Sequence, residues 1–194
     1  MMNRLAVWCG VLAGLCIGLP GAIEAVTGET AVTSFVLGVA PALAIPLLAV
    51  LHLRQSETAG TFGAVAYTLN VVGLGLFGGA AFTLNLALFY VDKPVLDDLL
   101  AGPTRIALLG SAVVFAIGSV LFGIAMVRAR IHPRVPSVAY AVALPVLALA
   151  APLPDSVLTS AIHVAAGGAV LWLAAAHSKS PGNLNYRTVL AGSR

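Results

Sequence analysis

The charged side chains of this chain all lie outside its long apolar segments. Its ten Lys and Arg residues and seven Asp and Glu residues leave six stretches without charge: 5–23, 30–53, 58–91, 106–127, 135–154 and 156–178. An ionised side chain at the centre of a bilayer costs about 3 kcal/mol. A sequence that avoids this cost in six successive segments is typical of a helical membrane protein.

The composition agrees with that interpretation. The chain is 60% hydrophobic and only 9% charged, with a mean hydropathy of +1.02, whereas soluble domains carry about 25% charged residues. A spanning helix needs ~20 apolar residues. The sequence therefore predicts an all-α fold, a six-transmembrane-helix bundle over 1–178, followed by a polar cytoplasmic tail at 179–194. The predicted spans are about 5–23, 32–51, 61–91, 105–128, 136–152 and 156–177.

The loops between these spans alternate in basic content, which predicts the orientation. One side carries Arg4, Arg54, Arg128, Arg130, Arg134, Lys179, Arg187 and Arg194, and the other carries Lys93 and Arg105. Cytoplasmic loops are enriched in Lys and Arg, so both termini are predicted in the cytoplasm of a multi-pass protein of the cell inner (plasma) membrane. We attribute the excess of Lys and Arg to membrane topology, and no nucleic-acid partner is predicted.

The first span carries small residues at four-residue spacing, namely Ala6, Gly10, Gly14 and Gly18. Such a face lets another helix approach closely. The partner is either a helix of the same chain or a second copy, so a homo-oligomer through Gly10, Gly14 and Gly18 is one alternative.

Polar residues recur at helical spacing near the outer ends of the third and sixth spans. They are Asn85 and Asp92 on the third span, with Phe89 on the same face, and Ser156, Thr159 and His163 on the sixth. Glu24 and Asp155 stand at the outer ends of the first and sixth spans. Together these residues predict a polar vestibule that opens outward or to the outer leaflet.

Acid–base chemistry is the function that such a vestibule suggests. A carboxyl group at the edge of an apolar chamber is desolvated, and it can then donate a proton near neutral pH. The predicted catalytic residues are Glu24, Asp92, Asp155 and His163, with the imidazole as proton relay or cation stabiliser. The competing interpretation is simpler: carboxylates at span ends meet water, and an intramembrane histidine bonds a neighbouring helix.

The predicted substrate-binding residues lie on the third span and are Tyr67, Asn70, Phe77, Phe82, Asn85 and Phe89. The amides would orient a substrate and the rings would wall an apolar pocket. Interhelical hydrogen bonding and packing explain the same residues without a ligand.

Metal and cofactor sites are not predicted. His52, His132 and His177 fall near cytoplasmic helix ends, and three imidazoles could bind zinc, but no local ligand pair such as HxxxH supports this. The sequence also lacks HExxH, GxSxG and a phosphate-binding loop, which disfavours a protease. The external loop, with Pro94 at its start and Gly102-Pro103 at its end, predicts a short interfacial helix that acts as a lid or a connector.

Two cytoplasmic stretches carry a resemblance to known proteins. They are Leu51-His-Leu-Arg-Gln-Ser-Glu-Thr-Ala-Gly60 and Leu121-Phe-Gly-Ile-Ala-Met-Val-Arg-Ala-Arg-Ile-His-Pro-Arg134. Both resemble a loose group of small polytopic bacterial membrane proteins without assigned activity. The resemblance implies an architecture and no activity.

These observations predict an integral membrane protein that binds a hydrophobic, isoprenoid- or lipid-like substrate in an intramembrane cavity. The predicted chemistry is a metal-independent, acid-catalysed cyclisation or isomerisation of the terpene-cyclase kind. A small transporter or channel subunit and a non-catalytic membrane assembly partner are the alternatives.

Overall fold

The computed structural model describes residues 2–178 and is helical throughout, with no β-strand in that range. Its α-helices are α1 (Met2–Thr27), α2 (Ala31–Phe82), α3 (Lys93–Leu99), α4 (Pro103–Ala129), α5 (Arg134–Ala150) and α6 (Val157–Ser178). A π-helical turn (Thr83–Ala87) and a 3₁₀ turn (Leu88–Tyr90) follow α2. The all-α prediction is confirmed. The predicted tail at 179–194 lies outside the described residues.

Four of these segments are long and apolar enough to cross a membrane. They are Asn3–Thr27, Ala31–Tyr90, Pro103–Ala129 and Val157–His177, and the apolar helix α5 is shorter. Large hydrophobic side chains such as Trp8, Ile106 and Val142 are exposed on the outside of the bundle. An apolar outer surface of this kind is suited to lipid rather than water, which indicates a membrane protein.

The long element α2 consists of two arms that fold back on each other at Gly60. This residue has φ 55° and ψ −147°, which is not helical, and such a conformation is open almost exclusively to glycine. The ring of His52 stacks on Tyr67 at 4.2 Å, and Gly78 lies against Pro41. Residues before and after Gly60 therefore pair in antiparallel order, and we call them the first arm (31–59) and the second arm (61–82).

The helices close into a ring around a common core. Helix α1 packs on α2 and α6, α4 packs on α2 and α5, and α5 packs on α6. The buried centre includes Leu51, Phe122, Met126 and Leu173. The ring has an interior that all of the long helices can line.

Small residues bring α1 and α6 into close contact. A Cβ atom on Gly14 would lie 2.7 Å from the carbonyl oxygen of Gly167, and one on Gly167 would lie 2.5 Å from the carbonyl oxygen of Gly14. The close helix approach predicted for the first span therefore occurs within one chain, against α6.

Candidate functional site

A cavity of about 790 Å³ lies inside the helix ring. Its apolar walls include, on α2, Leu37, Ala40, Pro41, Ala44, Leu47, Leu48, Leu74, Phe77 and Ala81, and on α4 and α5, Leu108, Ala112, Phe115, Leu144 and Leu147. Leu48 lies ~25 Å along the first arm from its start, at 1.5 Å per residue. The cavity therefore runs through much of the length of the bundle.

The cavity opens at the end of the bundle where α1 ends and α6 begins. The mouth carries four carboxylates and one guanidinium group, from Glu24, Glu29, Asp97, Asp155 and Arg105. The carboxylate of Asp97 also bonds to Lys93 on its own helix at 3.1 Å. The mouth is thus acidic in balance, while most of the residues that line the interior are apolar.

Glu24 and His163 are brought together by a close contact between α1 and α6. A Cβ atom on Gly21 would lie 2.5 Å from the Cβ of His163, so the histidine packs directly on the helix turn that precedes Glu24. Glu24 is within electrostatic range of His163, Glu29 and Asp155. Its Oε1 atom is buried and has no hydrogen-bond partner in the described residues, which leaves an acceptor free at the cavity rim.

The hydrogen bond made by His163 determines which of its two ring nitrogens carries the hydrogen in the neutral form. Its Nδ1 lies 2.9 Å from the carbonyl oxygen of Thr159, one turn earlier on α6. A carbonyl can only accept, so Nδ1 carries the hydrogen and donates it. In the neutral ring, Nε2 then holds a lone pair, which can accept a proton.

Asn85 lies in the π-helical turn and also lines the cavity. Its Nδ2 donates to the carbonyl oxygen of Ala81 at 2.8 Å, which leaves its Oδ1 as an acceptor for a ligand. Its Cβ packs close to Gly38 on the first arm. π-Helical turns are rare and often occur at functional sites.

The floor of the cavity is formed in part by Tyr140, whose polar atoms are already bonded. The Tyr140 hydroxyl accepts from Nδ2 of Asn70 at 2.7 Å, and Oδ1 of Asn70 accepts from the Ser119 hydroxyl at 3.0 Å. Tyr140 therefore brings to the floor a hydroxyl that is already engaged in a hydrogen bond.

Five of the residues predicted from sequence share this cavity: Glu24, Phe77, Asn85, Asp155 and His163. The others lie elsewhere. Asp92 is exposed at the start of α3, Phe82 is exposed on the outer surface, and Phe89 packs edge-on against Tyr90. Tyr67 lies between His52 and Phe122 near the opposite end, and Asn70 supports the floor from behind Tyr140.

Several residues that line the cavity had no predicted role at the site, among them Tyr140, Glu29 and Arg105. Tyr140 is an isolated aromatic on α5, and no helical spacing linked it to Asn70. Arg105 was used only to predict the orientation. Glu29 has a local signal, since it precedes the Thr30 cap of α2, and its carboxylate accepts a hydrogen bond from Ser34.

The short helix predicted between Pro94 and Gly102 is present as α3, with Pro94 in its first turn. It lies beside the mouth, because Asp97, Leu100 and Ala101 contribute to the cavity lining. The chain leaves it through Gly102, whose φ of 59° is readily adopted by glycine. The segment is placed where it could cover the opening.

At the opposite end of the bundle, two of the three predicted cytoplasmic histidines meet. His132 and His177 are in contact, whereas His52 stacks on Tyr67. Within residues 2–178, no group of three or more His, Cys, Asp or Glu side chains is arranged to hold a metal ion.

Comparison with known proteins identifies no relative: no protein-family model, curated protein or solved structure matches this chain.

Proposed function

We propose that this protein binds a hydrophobic, isoprenoid- or lipid-like molecule in the cavity within its helix ring and isomerises or cyclises it by acid–base chemistry. The observation that carries the proposal is the 790 Å³ cavity itself, within the range of about 300–1,000 Å³ common for small-molecule sites. Its interior is apolar and its few charged groups stand together at one end.

The distribution of polarity selects the kind of ligand. Because the Tyr140 hydroxyl and both ends of the Asn70 amide are already hydrogen-bonded, a polar group at the floor would have to compete with these bonds, and its desolvation would be poorly compensated. A hydrocarbon chain has no hydrogen bonds with water to lose when it is buried there. The ligand therefore enters tail first, with its polar end at the acidic mouth.

The proposed topology places this mouth outside the cell. The two arms of α2 cross as separate spans, so that six crossings leave both termini in the cytoplasm. The hairpin at Gly60 and the basic residues near it, such as Arg54, support this arrangement. Since the small-residue face of α1 is filled by α6, an oligomer of this chain would associate through another face.

The chemical step uses two groups at the rim. Glu24, in its carboxylic acid form, transfers its proton to one carbon of a substrate double bond; the π electron pair forms the new C–H bond, and the positive charge remains on the other carbon. The stacked rings of Phe77 and Phe115 line the adjoining wall, and aromatic faces stabilise cations.

The step is completed by loss of a proton. A C–H bond next to the cation gives its proton to Nε2 of His163, and its electron pair forms the shifted double bond. The proton then returns to the Glu24 carboxylate. Attack of a second double bond on the cation before this loss gives a ring instead. No external oxidant, reductant or metal is needed for either outcome.

Binding is tested first, with the whole protein solubilised in a mild detergent. Native mass spectrometry and organic extraction should find a stoichiometric hydrophobic molecule. Filling the cavity with Ala112→Phe should remove most of it, because Ala112 lines the wall. The matched control is Ala107→Phe on the same helix, where Ala107 is exposed. Equal ligand content in the two variants would refute cavity binding.

Catalysis is tested separately in D₂O with the extracted molecule, or with farnesol and geranylgeraniol as probes. The wild type should incorporate deuterium at carbon, and Glu24→Gln should lose at least about 100-fold of this rate, the typical contribution of a general acid. Retained binding with no deuterium incorporation by the wild type would reject the catalytic step and favour a carrier.

A further inference from the structure

The contact between His132 and His177 lies at the end of the bundle away from the cavity mouth. His132 is in the connection between α4 and α5, and His177 is in the last turn of α6. The two side chains are only 3% and 6% exposed. Nδ1 of His132 lies 2.6 Å from Nε2 of His177, which is hydrogen-bonding distance.

The other ring nitrogens face backbone carbonyls. Nε2 of His132 lies 3.1 Å from the oxygen of Leu51 on α2, and Nδ1 of His177 lies 2.7 Å from the oxygen of Leu173. Carbonyl oxygens accept and never donate, so each of these two nitrogens must carry a hydrogen.

Counting hydrogens then gives the protonation state of the pair. Two neutral imidazoles carry one N–H each, and both of these are used on Leu51 and Leu173. The remaining contact would join two lone pairs at 2.6 Å, which is repulsive. Three contacts need three N–H hydrogens, and the two rings hold three only when the pair carries one positive charge.

We propose that His132 and His177 form a buried proton-binding site that holds one shared proton. The shared proton ties the end of α6 to the α4–α5 connection and, through Leu51, to α2. A metal ion does not fit in its place, because Zn–N bonds of ~2.0–2.1 Å would hold the two nitrogens farther apart than 2.6 Å.

The surroundings limit the pair to one proton. Burial, the neighbouring His177 and the Arg54 guanidinium on α2 lower the pKa of His132 to about 4, so a second proton enters only in acid. Burial and then Arg54 also disfavour a charge on His177, whereas its hydrogen bond to the Leu173 carbonyl favours one. The shared N–H···N bond between the rings must therefore outweigh burial and Arg54. Arg130 and Arg134 flank His132 in the sequence and are exposed to solvent. This site is independent of the ligand proposed for the cavity.

Because the native pair holds one shared proton, the free energy of unfolding should be greatest at an intermediate pH. Two unfolded imidazoles titrate near about pH 6.5, so they hold no extra proton well above that pH and two well below it. Above it the native pair binds more protons than the unfolded chain, and stability falls as pH rises. Below it the unfolded chain binds more, and stability falls as pH falls.

The test is the melting temperature of the solubilised full chain between about pH 5 and 9. We expect the wild type to lose about 2–4 °C from its maximum to alkaline pH. In His177→Gln the amide carries its own N–H for Nδ1 of His132, so the alkaline decline should disappear. The control His52→Gln should keep it. A wild-type decline no larger than that of His177→Gln would overturn the proposal.

A second measurement does not depend on the variant folding. In wild-type protein labelled with ¹⁵N-histidine, the ring nitrogens that share the proton should give NMR signals between those of protonated and free nitrogens near neutral pH. Signals of two neutral tautomers alone at that pH would also overturn the proposal.

Discussion

The side-chain amide of Asn70 donates a 2.7 Å hydrogen bond to the hydroxyl of Tyr140, seventy positions along the chain. Asn70 lies on the second arm of α2, Tyr140 on α5, and Ser119 on α4 adds a bond to the same amide. All three are buried. One asparagine therefore links three helices and also engages the hydroxyl of Tyr140, a residue of the cavity floor.

Replacing this asparagine should destabilise the bundle. Asn70→Leu leaves the Tyr140 and Ser119 hydroxyls without their partner, and interhelical hydrogen bonds in membranes contribute about 0.6–2 kcal/mol. We expect a lower melting temperature by circular dichroism in detergent. The control is Ser56→Ala, whose hydroxyl bonds to Leu53 of its own helix. Equal melting temperatures for the two variants would mean that the network adds no stability.

The close contact between α1 and α6 leads to a second prediction, on the stability of glycine variants. Gly167→Ala places a methyl group about where the Gly14 carbonyl oxygen and the Gly18 backbone already lie, so the helices must separate, at a cost of about 1–3 kcal/mol. Gly168→Ala is the matched control, since a Cβ atom there meets nothing within 4 Å. It should be neutral or stabilising, because alanine favours helices by about 1 kcal/mol. Equal destabilisation by both variants would contradict the observed packing.

The helices were predictable because they depend on the local pattern of charged and apolar residues along the chain. Charge exclusion marks where lipid-compatible segments begin and end, and the ends of α4 and α6 agree with the predicted bounds within a few residues. The hairpin at Gly60 falls where Arg54 and Glu57 interrupt the apolar sequence. Both the helices and their interruption depend on neighbouring residues in the chain.

The site was predictable in part, for a related reason. Glu24, Asp155 and His163 were assigned to outer span ends, and helix ends on one side of a membrane lie near one another. The face shared by Asn85, Phe89 and Asp92 was not a face of the folded chain. The π-helical turn at Thr83–Ala87 and the 3₁₀ turn after it change the residues per turn, so regular helical spacing no longer holds there.

Contacts between distant segments could not be read from sequence spacing. The Asn70–Tyr140 bond and the His132–His177 pair join residues on different helices or loops. Whether two such side chains meet depends on the rotation of each helix about its axis, which packing decides. In this chain packing is controlled by glycines such as Gly14 and Gly118, whose backbones contact neighbouring helices.

The turn between the arms of α2 makes a third prediction. Gly60→Ala should destabilise the protein by about 1–3 kcal/mol, because φ 55° and ψ −147° are strained for any residue with a Cβ atom. Steric crowding is not the cause, since a Cβ atom there would meet nothing within 4 Å. Gly75→Ala, also in open space but inside the helical second arm, separates the two effects. A melting temperature of Gly60→Ala equal to that of Gly75→Ala would show that the turn tolerates a side chain.

The last prediction concerns which end of the bundle lies outside the cell, and cysteine labelling in whole cells tests it. Asp98 on α3 and Thr58 beside the Gly60 turn are both exposed, and they lie at opposite ends of the bundle. In a background where Cys9 and Cys16 are replaced by Ala, a membrane-impermeant maleimide should label Asp98→Cys from outside. It should label Thr58→Cys only after the membrane is opened. Labelling of Thr58→Cys alone from outside would invert the topology, and labelling of both would mean that the arms of α2 do not cross the membrane.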